Sequence, residues 1–207
     1  MSLILRFPTE MGDAKIVAVG DESIGKTCLL IRYQNKAFPS EYVPTVCETY
    51  QIPLKLHDHT VQLSLWDNSV SEAASKLAQL SFPKTDIFLL CFSVVFPESF
   101  VNAREKWHPL ILRSPFSPHN PAFLLVGTKS DLRTDEQQLT KLAEHGKKPV
   151  SIEEAEEFAH QLGTVYLECS ALTGDNVDQV FLTAVDQWIA SGAKDHQAQK
   201  KSHCFLM

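Results

Sequence analysis

Lys15-Ile16-Val17-Ala18-Val19-Gly20-Asp21-Glu22-Ser23-Ile24-Gly25-Lys26-Thr27 is the stretch on which the fold turns. It begins as an unbroken apolar run, enters the spacing GxxxxGK[ST] at Gly20, and leads into a helical pattern over 28–35. Strand, glycine-rich turn, helix is the context in which that spacing cradles a phosphate. The glycines let backbone N–H groups turn inward, Lys26 sets a positive charge on the outer phosphates, and the Thr27 hydroxyl can ligate Mg²⁺. The helix starting there adds the positive end of its dipole. At average glycine content a chance match falls well under ~1% of chains this long, so a turn without a ligand is set aside. The loop alone separates neither GTP from ATP nor a switch from a kinase.

Outward from this stretch, short apolar runs alternate with helical patterns. The runs are 15–20, 52–56, 61–66, 87–93, 122–127 and 165–169. KIVAVG, IFLLCFS and AFLLVG are apolar without alternation, which predicts strands covered on both faces. Val61-Gln62-Leu63-Ser64-Leu65-Trp66 alternates, which predicts one wetter face. With 52–56 it forms a hairpin pattern joined by His57-Asp58-His59-Thr60. Ser151 followed by Glu154 is a capping box opening a helix to about Leu162. Val177, Val180, Phe181, Ala184, Val185, Trp188 and Ile189 form an amphipathic stripe. Segment 134–148 is polar, charged and bounded by Pro149, and reads as a solvated helical insertion. Strand and helix in repeated order predict an α/β fold with a mostly parallel sheet.

The chain has 207 residues, 44% of them hydrophobic and 21% charged, enough for one domain with a proper core. Its net charge of −6 argues against a nucleic-acid partner. No stretch has the length of a membrane-spanning helix. The start Met1-Ser2-Leu3-Ile4-Leu5 lacks a basic lead and a cleavage site, and Ser2 excludes N-myristoylation. The five cysteines, Cys28, Cys47, Cys91, Cys169 and Cys204, show no metal or disulfide spacing and read as reduced thiols. Cys91 and Cys169 lie in apolar runs and are expected in the core.

Base choice is read at Thr128-Lys129-Ser130-Asp131, which ends the run AFLLVG. A carboxylate there can accept two hydrogen bonds from guanine N1–H and its 2-amino group. Adenine offers no such pair, so a buried Asp131 would penalise it. The Lys129 stem can lie along the base, and Leu132 follows beside it. Cys169-Ser170-Ala171-Leu172 closes the last run and could offer backbone N–H groups to the guanine oxygen. A lone TKxD would read as a surface loop. Three motifs in order, each at a strand end, do not.

On these residues the chain resembles the Ras superfamily of small GTPases and, within it, the Rho/Rac family. The likeness runs from about Lys15 to Ile189. It includes Ala37-Phe38-Pro39-Ser40-Glu41-Tyr42-Val43-Pro44-Thr45-Val46, similar to the family's first switch, then Leu65-Trp66-Asp67, residues 85–93, 127–132 and 166–172. The resemblance implies a three-layer P-loop G domain over 14–191. Its six-stranded, mostly parallel sheet would carry one antiparallel edge strand and helices on both faces, with 134–148 as the insert helix of Rho proteins. Residues 1–13 would be an N-terminal extension and 192–207 a flexible tail. The implied cofactors are GTP or GDP and Mg²⁺. By position, Gly20, Asp21, Glu22, Ser23, Ile24, Gly25, Lys26, Thr27 and Cys28 would hold phosphates. Phe38 would pack beside the guanine and Tyr42 would close over the phosphates. Thr128, Lys129, Asp131, Leu132, Ser170, Ala171 and Leu172 would hold the base. Thr27 and Thr45 would ligate Mg²⁺ directly and Asp67 through water. Effectors would read Tyr42, Val43, Pro44, Thr45, Val46, Cys47, Glu48, Thr49 and Tyr50, where Cys47-Glu48 replaces the usual Phe-Asp.

Three departures fall where the γ-phosphate is handled. The family follows its switch aspartate with Thr-Ala-Gly-Gln; here Asp67 is followed by Asn68-Ser69-Val70-Ser71. Ser71 stands where a glutamine would orient the attacking water, and is too short to do so. Val70 replaces glycine, and its β-branch restricts backbone that must move. Glu22 replaces a phosphate-loop glycine, obstructing the in-line geometry and adding like charge. No catalytic residue is assigned. Ala73-Ala74-Ser75-Lys76 also lacks the aromatic and arginine residues that family regulators grip.

The end, Cys204-Phe205-Leu206-Met207, fits C-a-a-X with methionine favouring a farnesyl group on Cys204. Lys194, Lys200 and Lys201 make a thin basic patch, so membrane attachment would be reversible, and a dissociation inhibitor shielding the prenyl group would compete. The resemblance thus implies a monomeric, Rho-like signalling switch on the cytoplasmic face of a membrane, the plasma membrane foremost, acting on effectors in actin, polarity or related signalling. It would be mostly GTP-bound, with weak or absent hydrolysis. A conventional cycling GTPase is the second reading, disfavoured by the absent glutamine. A pseudo-GTPase scaffold is the third, disfavoured by intact Lys26, Thr27, Thr45, Asp67 and Asp131.

Overall fold

In the computed structural model, which describes residues 9–39, 48–56, 59–68, 78–118 and 121–190, β1 (Thr9–Val19) is the strand from which the sheet is built. It pairs in parallel with β3 (His59–Asp67) on one side and β4 (Ile87–Ser93) on the other. β5 (Ala122–Thr128) and β6 (Tyr166–Glu168) continue in parallel beyond β4. β2 (Glu48–Leu56) runs antiparallel to β3, with Leu56 opposite His59, so the hairpin pattern is met. The six-stranded order is β2-β3-β1-β4-β5-β6. The chain leaves β1 toward β3 and later crosses to β4 on its other side. That reversal opens a crevice at the carboxyl end of β1, where ligands bind in such sheets.

Burial follows the patterns. All seven positions of β4 are buried, whereas in β3 Val61, Leu63 and Leu65 are buried and alternate with half-exposed Gln62, Ser64 and Trp66. On one face lie α1 (Lys26–Asn35) and the last helix, α6 (Val177–Ala190), where Tyr33 stacks on Phe181 with ring centroids 3.8 Å apart. Val177, Val180, Phe181, Ala184, Val185 and Trp188 of the stripe are buried there. On the other face Phe92, Phe100 and Phe158 cluster beneath α2 (Pro97–Asn102) and α5 (Ile152–Gln161). Ser151 caps α5 by accepting from Glu154 N at 3.1 Å, a contact worth about 1 kcal/mol. Segment 134–148 contains α4 (Glu136–Glu144), capped by Asp135, with Leu142 its one buried residue.

The sheet departs from expectation at its edges. β1 starts at Thr9, six positions before the apolar run, and bulges between Glu10 and Gly12. Residues 9–13, read from sequence as an extension, therefore pair with β3. β6 is only three residues long. The helical segment after β4 was not anticipated, because its prolines mask the period. α2 starts on Pro97, passes into a π turn (Ala103–Trp107) and ends as α3 (His108–Arg113), with Pro109 in its first turn. Among the described residues no helix is long and apolar enough to cross a membrane.

Candidate functional site

The loop from Gly20 to Thr27 lies at the carboxyl end of β1, in the crevice. Gly20 has φ 153°, and a Cβ there would stand 2.3 Å from the Cys91 carbonyl oxygen. Gly25, with φ 101°, occupies the N-cap of α1, a left-handed position that other residues resist. Ser23 is also left-handed, at φ 59°. Lys26 is only 3% exposed. Its Nζ donates to the carbonyl oxygens of Gly20 at 2.9 Å and Asp21 at 2.5 Å. Burial pushes this ammonium below its ordinary value, against the pull of nearby Asp67, Asp21 and Glu22.

Thr27 lies in the first turn of α1, and its Oγ1 donates to Asp67 Oδ2 at 2.5 Å. Asp67 ends β3 fully buried, in register with Ala18 of β1 and Glu48 of β2. A hydroxyl and a carboxylate held together near a buried ammonium suit a hard cation carried in with phosphate oxygens. Mg²⁺ is bound in this way, by one or two carboxylates with water and substrate phosphate completing the shell. Among the described residues no cluster of three His, Cys, Asp or Glu side chains would hold a metal without such help.

Beside the loop lies a cleft of about 260 Å³, lined by Cys28, Leu29, Phe38, Leu132 and Leu172 among its apolar walls, with Lys129 and Asp131 among its polar lining. The Thr128 hydroxyl ties it to the phosphate loop, its single proton shared between the carbonyl oxygens of Ile24 in that loop and Phe92 in β4. Lys129, left-handed at φ 60°, donates from Nζ to Ser23 O at 2.7 Å. Asp131 accepts at Oδ1 from Ser170 Oγ at 2.6 Å. Burial raises the Cys28 thiol and lowers the Lys129 ammonium. Apolar walls with one oriented carboxylate among them, adjoining a glycine-rich loop that carries a buried lysine, fit a purine nucleotide with its base at Asp131. The bound nucleotide would supply the phosphate oxygens that complete a Mg²⁺ shell.

A model of the Ras family matches residues 15–190. The chain belongs to the Ras family. A Ras-family domain is a small GTPase domain, a GTP-binding switch, and its members bind guanine nucleotide with Mg²⁺. In this Ras-family chain the match takes in every motif just described.

The structure brings Gly20–Thr27, Cys28, Phe38, Asp67, Thr128, Lys129, Asp131, Leu132, Ser170, Ala171 and Leu172 to one crevice. Glu22 is exposed in its loop. Ser170 takes a different part from the one read in sequence: its N–H goes to Asp175 O at 3.0 Å, and its hydroxyl orients Asp131. Glu48 and Thr49 are exposed at the start of β2, where the Tyr50 hydroxyl donates to Glu48. Tyr42, Val43, Pro44, Thr45, Val46, Cys47, Val70, Ser71 and Cys204 lie outside the described residues.

Two groups of contacts were missed in the sequence. Arg133 donates from Nε to Glu168 Oε2 at 3.0 Å and from Nη1 to Val150 O at 2.8 Å, tying the turn that carries Asp131 to β6. Asn102 and Trp107 donate to the Asp21 carboxylate from the unanticipated helix. The one signal for it was Pro109, which marks a helix irregularity when set inside an otherwise helical stretch.

Proposed function

We propose that this Ras-family domain is a Rho-like switch that stays mostly GTP-bound because its hydrolysis is weak or absent. The observation that carries the reading is Glu22, exposed within the phosphate loop and close enough to Lys26 to act on its charge. A carboxylate there opposes γ-phosphate charge and takes the space through which a catalytic arginine would reach in. Ser71 in place of glutamine and Val70 in place of glycine support the same conclusion from the sequence. Asn68 adds to it: buried, it donates to Ala78 O at 3.1 Å and Ser81 Oγ at 3.2 Å, a structural use of the position where the family has threonine.

In this reading Gly20–Cys28 and Tyr42 hold phosphates, Phe38, Lys129, Asp131 and Ala171 hold guanine, and Thr27, Thr45 and Asp67 serve Mg²⁺. Effectors dock on Tyr42–Tyr50. A farnesyl group on Cys204 attaches the chain reversibly to the cytoplasmic face of the plasma membrane, and a prenyl-shielding inhibitor competes for it. Control then comes through abundance, localisation or modification rather than through a timer.

The test is to purify the protein, denature it and identify the released nucleotide, with single-turnover hydrolysis in parallel. GTP retained without turnover is the expected result. GDP with measurable turnover would make it a cycling GTPase, and no nucleotide at all a scaffold.

A further inference from the structure

Both carboxylate oxygens of Asp21 are taken up by the helical segment after β4. Asn102 Nδ2 donates to Oδ2 at 2.7 Å, and Trp107 Nε1 donates to Oδ1 at 2.6 Å. Hydrogen bonds onto an ionised acceptor belong to the stronger class. The two donors are five residues apart, and on an α-helix they would diverge by about 140°. The π turn Ala103–Trp107, closed by the His108 N–H onto Ala103 O, brings residues at this spacing toward one face. Its cause lies in the sequence. Pro109 has no N–H for the Glu105 carbonyl, and its ring would strike that carbonyl in an α-helical turn.

The clamp reaches the phosphates through the backbone of Asp21. Its carbonyl accepts from Lys26 Nζ at 2.5 Å, so one residue is held by its side chain from the helix and by its main chain from the lysine. Trp107 is 3% exposed, packed with Phe100 and Ile111 in the core on that face, so its indole is a fixed donor. The loop's shape at Asp21 is therefore set from a helix outside the cleft lining.

We propose that Asn102 and Trp107 are positioning residues that clamp the phosphate loop through Asp21 and thereby slow the release of guanine nucleotide. The inference rests on the reading of residues 20–27 as the nucleotide-binding loop. Release requires that loop to open, and breaking two bonds to Asp21 lowers what opening costs.

The experiment loads the full-length chain with fluorescent GDP, chases with unlabelled GDP and follows release. Trp107→Phe keeps the ring in the core and removes the donor. Asn102→Asp sets a second carboxylate against Asp21. The double variant Asp21→Asn with Asn102→Asp exchanges amide and carboxylate, so the pair re-forms with its roles reversed while Asn at 21 still accepts from Trp107. Release on the order of ten-fold faster is expected in each single variant, and a return toward the wild-type rate in the double. The Trp107 indole N–H resonance, identified by its loss in Trp107→Phe, should shift in Asn102→Asp and move back in the double. Wild-type release rates in both single variants, or a double no slower than Asn102→Asp, would overturn the clamp. If Asn102→Asp does not fold, the rate in Trp107→Phe decides alone. A wild-type chain that retains no guanine nucleotide would overturn the nucleotide reading itself, and is recognised before any variant is compared.

Discussion

Ser170 donates its hydroxyl to Oδ1 of Asp131 across 2.6 Å, joining the loop after β6 to the turn after β5. Ser170 is fully buried, and the same oxygen accepts the N–H of Thr173 at 3.1 Å. The carboxylate proposed to face the base is thus oriented from behind by a hydroxyl that is shielded from water. Ser170→Ala removes that hydroxyl and leaves the Thr173 N–H without its acceptor. The expected loss is about 1–2 kcal/mol in stability and roughly five- to ten-fold in guanine nucleotide affinity. Urea unfolding and GDP titration measure the two. Unchanged GDP affinity would mean that Asp131 needs no support from Ser170.

Hydrolysis should be recoverable if the proposed defect lies at the loop and the second switch. Glu22→Gly removes a charge within the phosphate loop, and Ser71→Gln restores a side chain long enough to orient water. The double variant is expected to raise single-turnover GTP hydrolysis by ~10-fold or more over the wild type. Glu22→Gln separates the charge from the bulk, since it keeps nearly the same volume. Hydrolysis that stays flat in the double variant would move the fault to Val70.

What the sequence made legible here was whatever depends on a local period or a fixed spacing. β4 and the α6 stripe are read directly from which residues repeat, and Gly20–Thr27 from a spacing that only one backbone path satisfies. Thr128, Asp131 and Ser170 could be placed because each ends or follows a strand, and parallel strands bring their carboxyl ends together. The contacts that were not legible are those set by tertiary approach. Asp21 and Trp107 are 86 positions apart, and nothing local to either tells that they meet. The residues between Pro97 and Arg113 hide their helix because two prolines interrupt its pattern, and the π turn that absorbs the second changes which side chains share a face. β1 begins early for a related reason: Thr9 and Glu10 have no apolar signature, and their place in the strand is set by backbone pairing with β3.

Gly20 offers a stability test independent of any ligand chemistry. A Cβ there would stand 2.3 Å from Cys91 O and 2.8 Å from Ile24 Cδ1. The Cys91 carbonyl belongs to a central strand paired on both sides and cannot retreat. Gly20→Ala is expected to cost about 2 kcal/mol or more, since crowding and an unfavourable φ act together. Because bound nucleotide adds RT ln(1 + [L]/Kd) to each form, the nucleotide Kd of both proteins is measured alongside the urea midpoints and that contribution is subtracted. A midpoint equal to the wild type would show that the loop can shift away from β4.

Cys91 gives a pH dependence with a definite sign. Fully buried in β4, its thiol is pushed up to about 12 from an ordinary 9.0 by desolvation. The unfolded chain therefore loses this proton from about pH 9 upward, while the folded chain keeps it. Above that point the unfolded state binds fewer protons, so stability falls as pH rises, by up to about 1.4 kcal/mol per unit for one group, until the folded value is reached. Below the unfolded value the contribution is fully present and flat. Cys91→Ala deletes the titrating group, so it should lower stability near pH 7 by about 1 kcal/mol through a small cavity, yet weaken the alkaline decline. The gap between variant and wild type should then narrow or reverse between pH 9 and 10.5, by ~1–2 kcal/mol. Burial also raises Cys169 and Cys28, so the decline is reduced rather than abolished. Urea midpoints at pH 8, 9 and 10.5 read the effect directly, and a gap that stays constant across them would show that Cys91 ionises as readily in the fold as outside it.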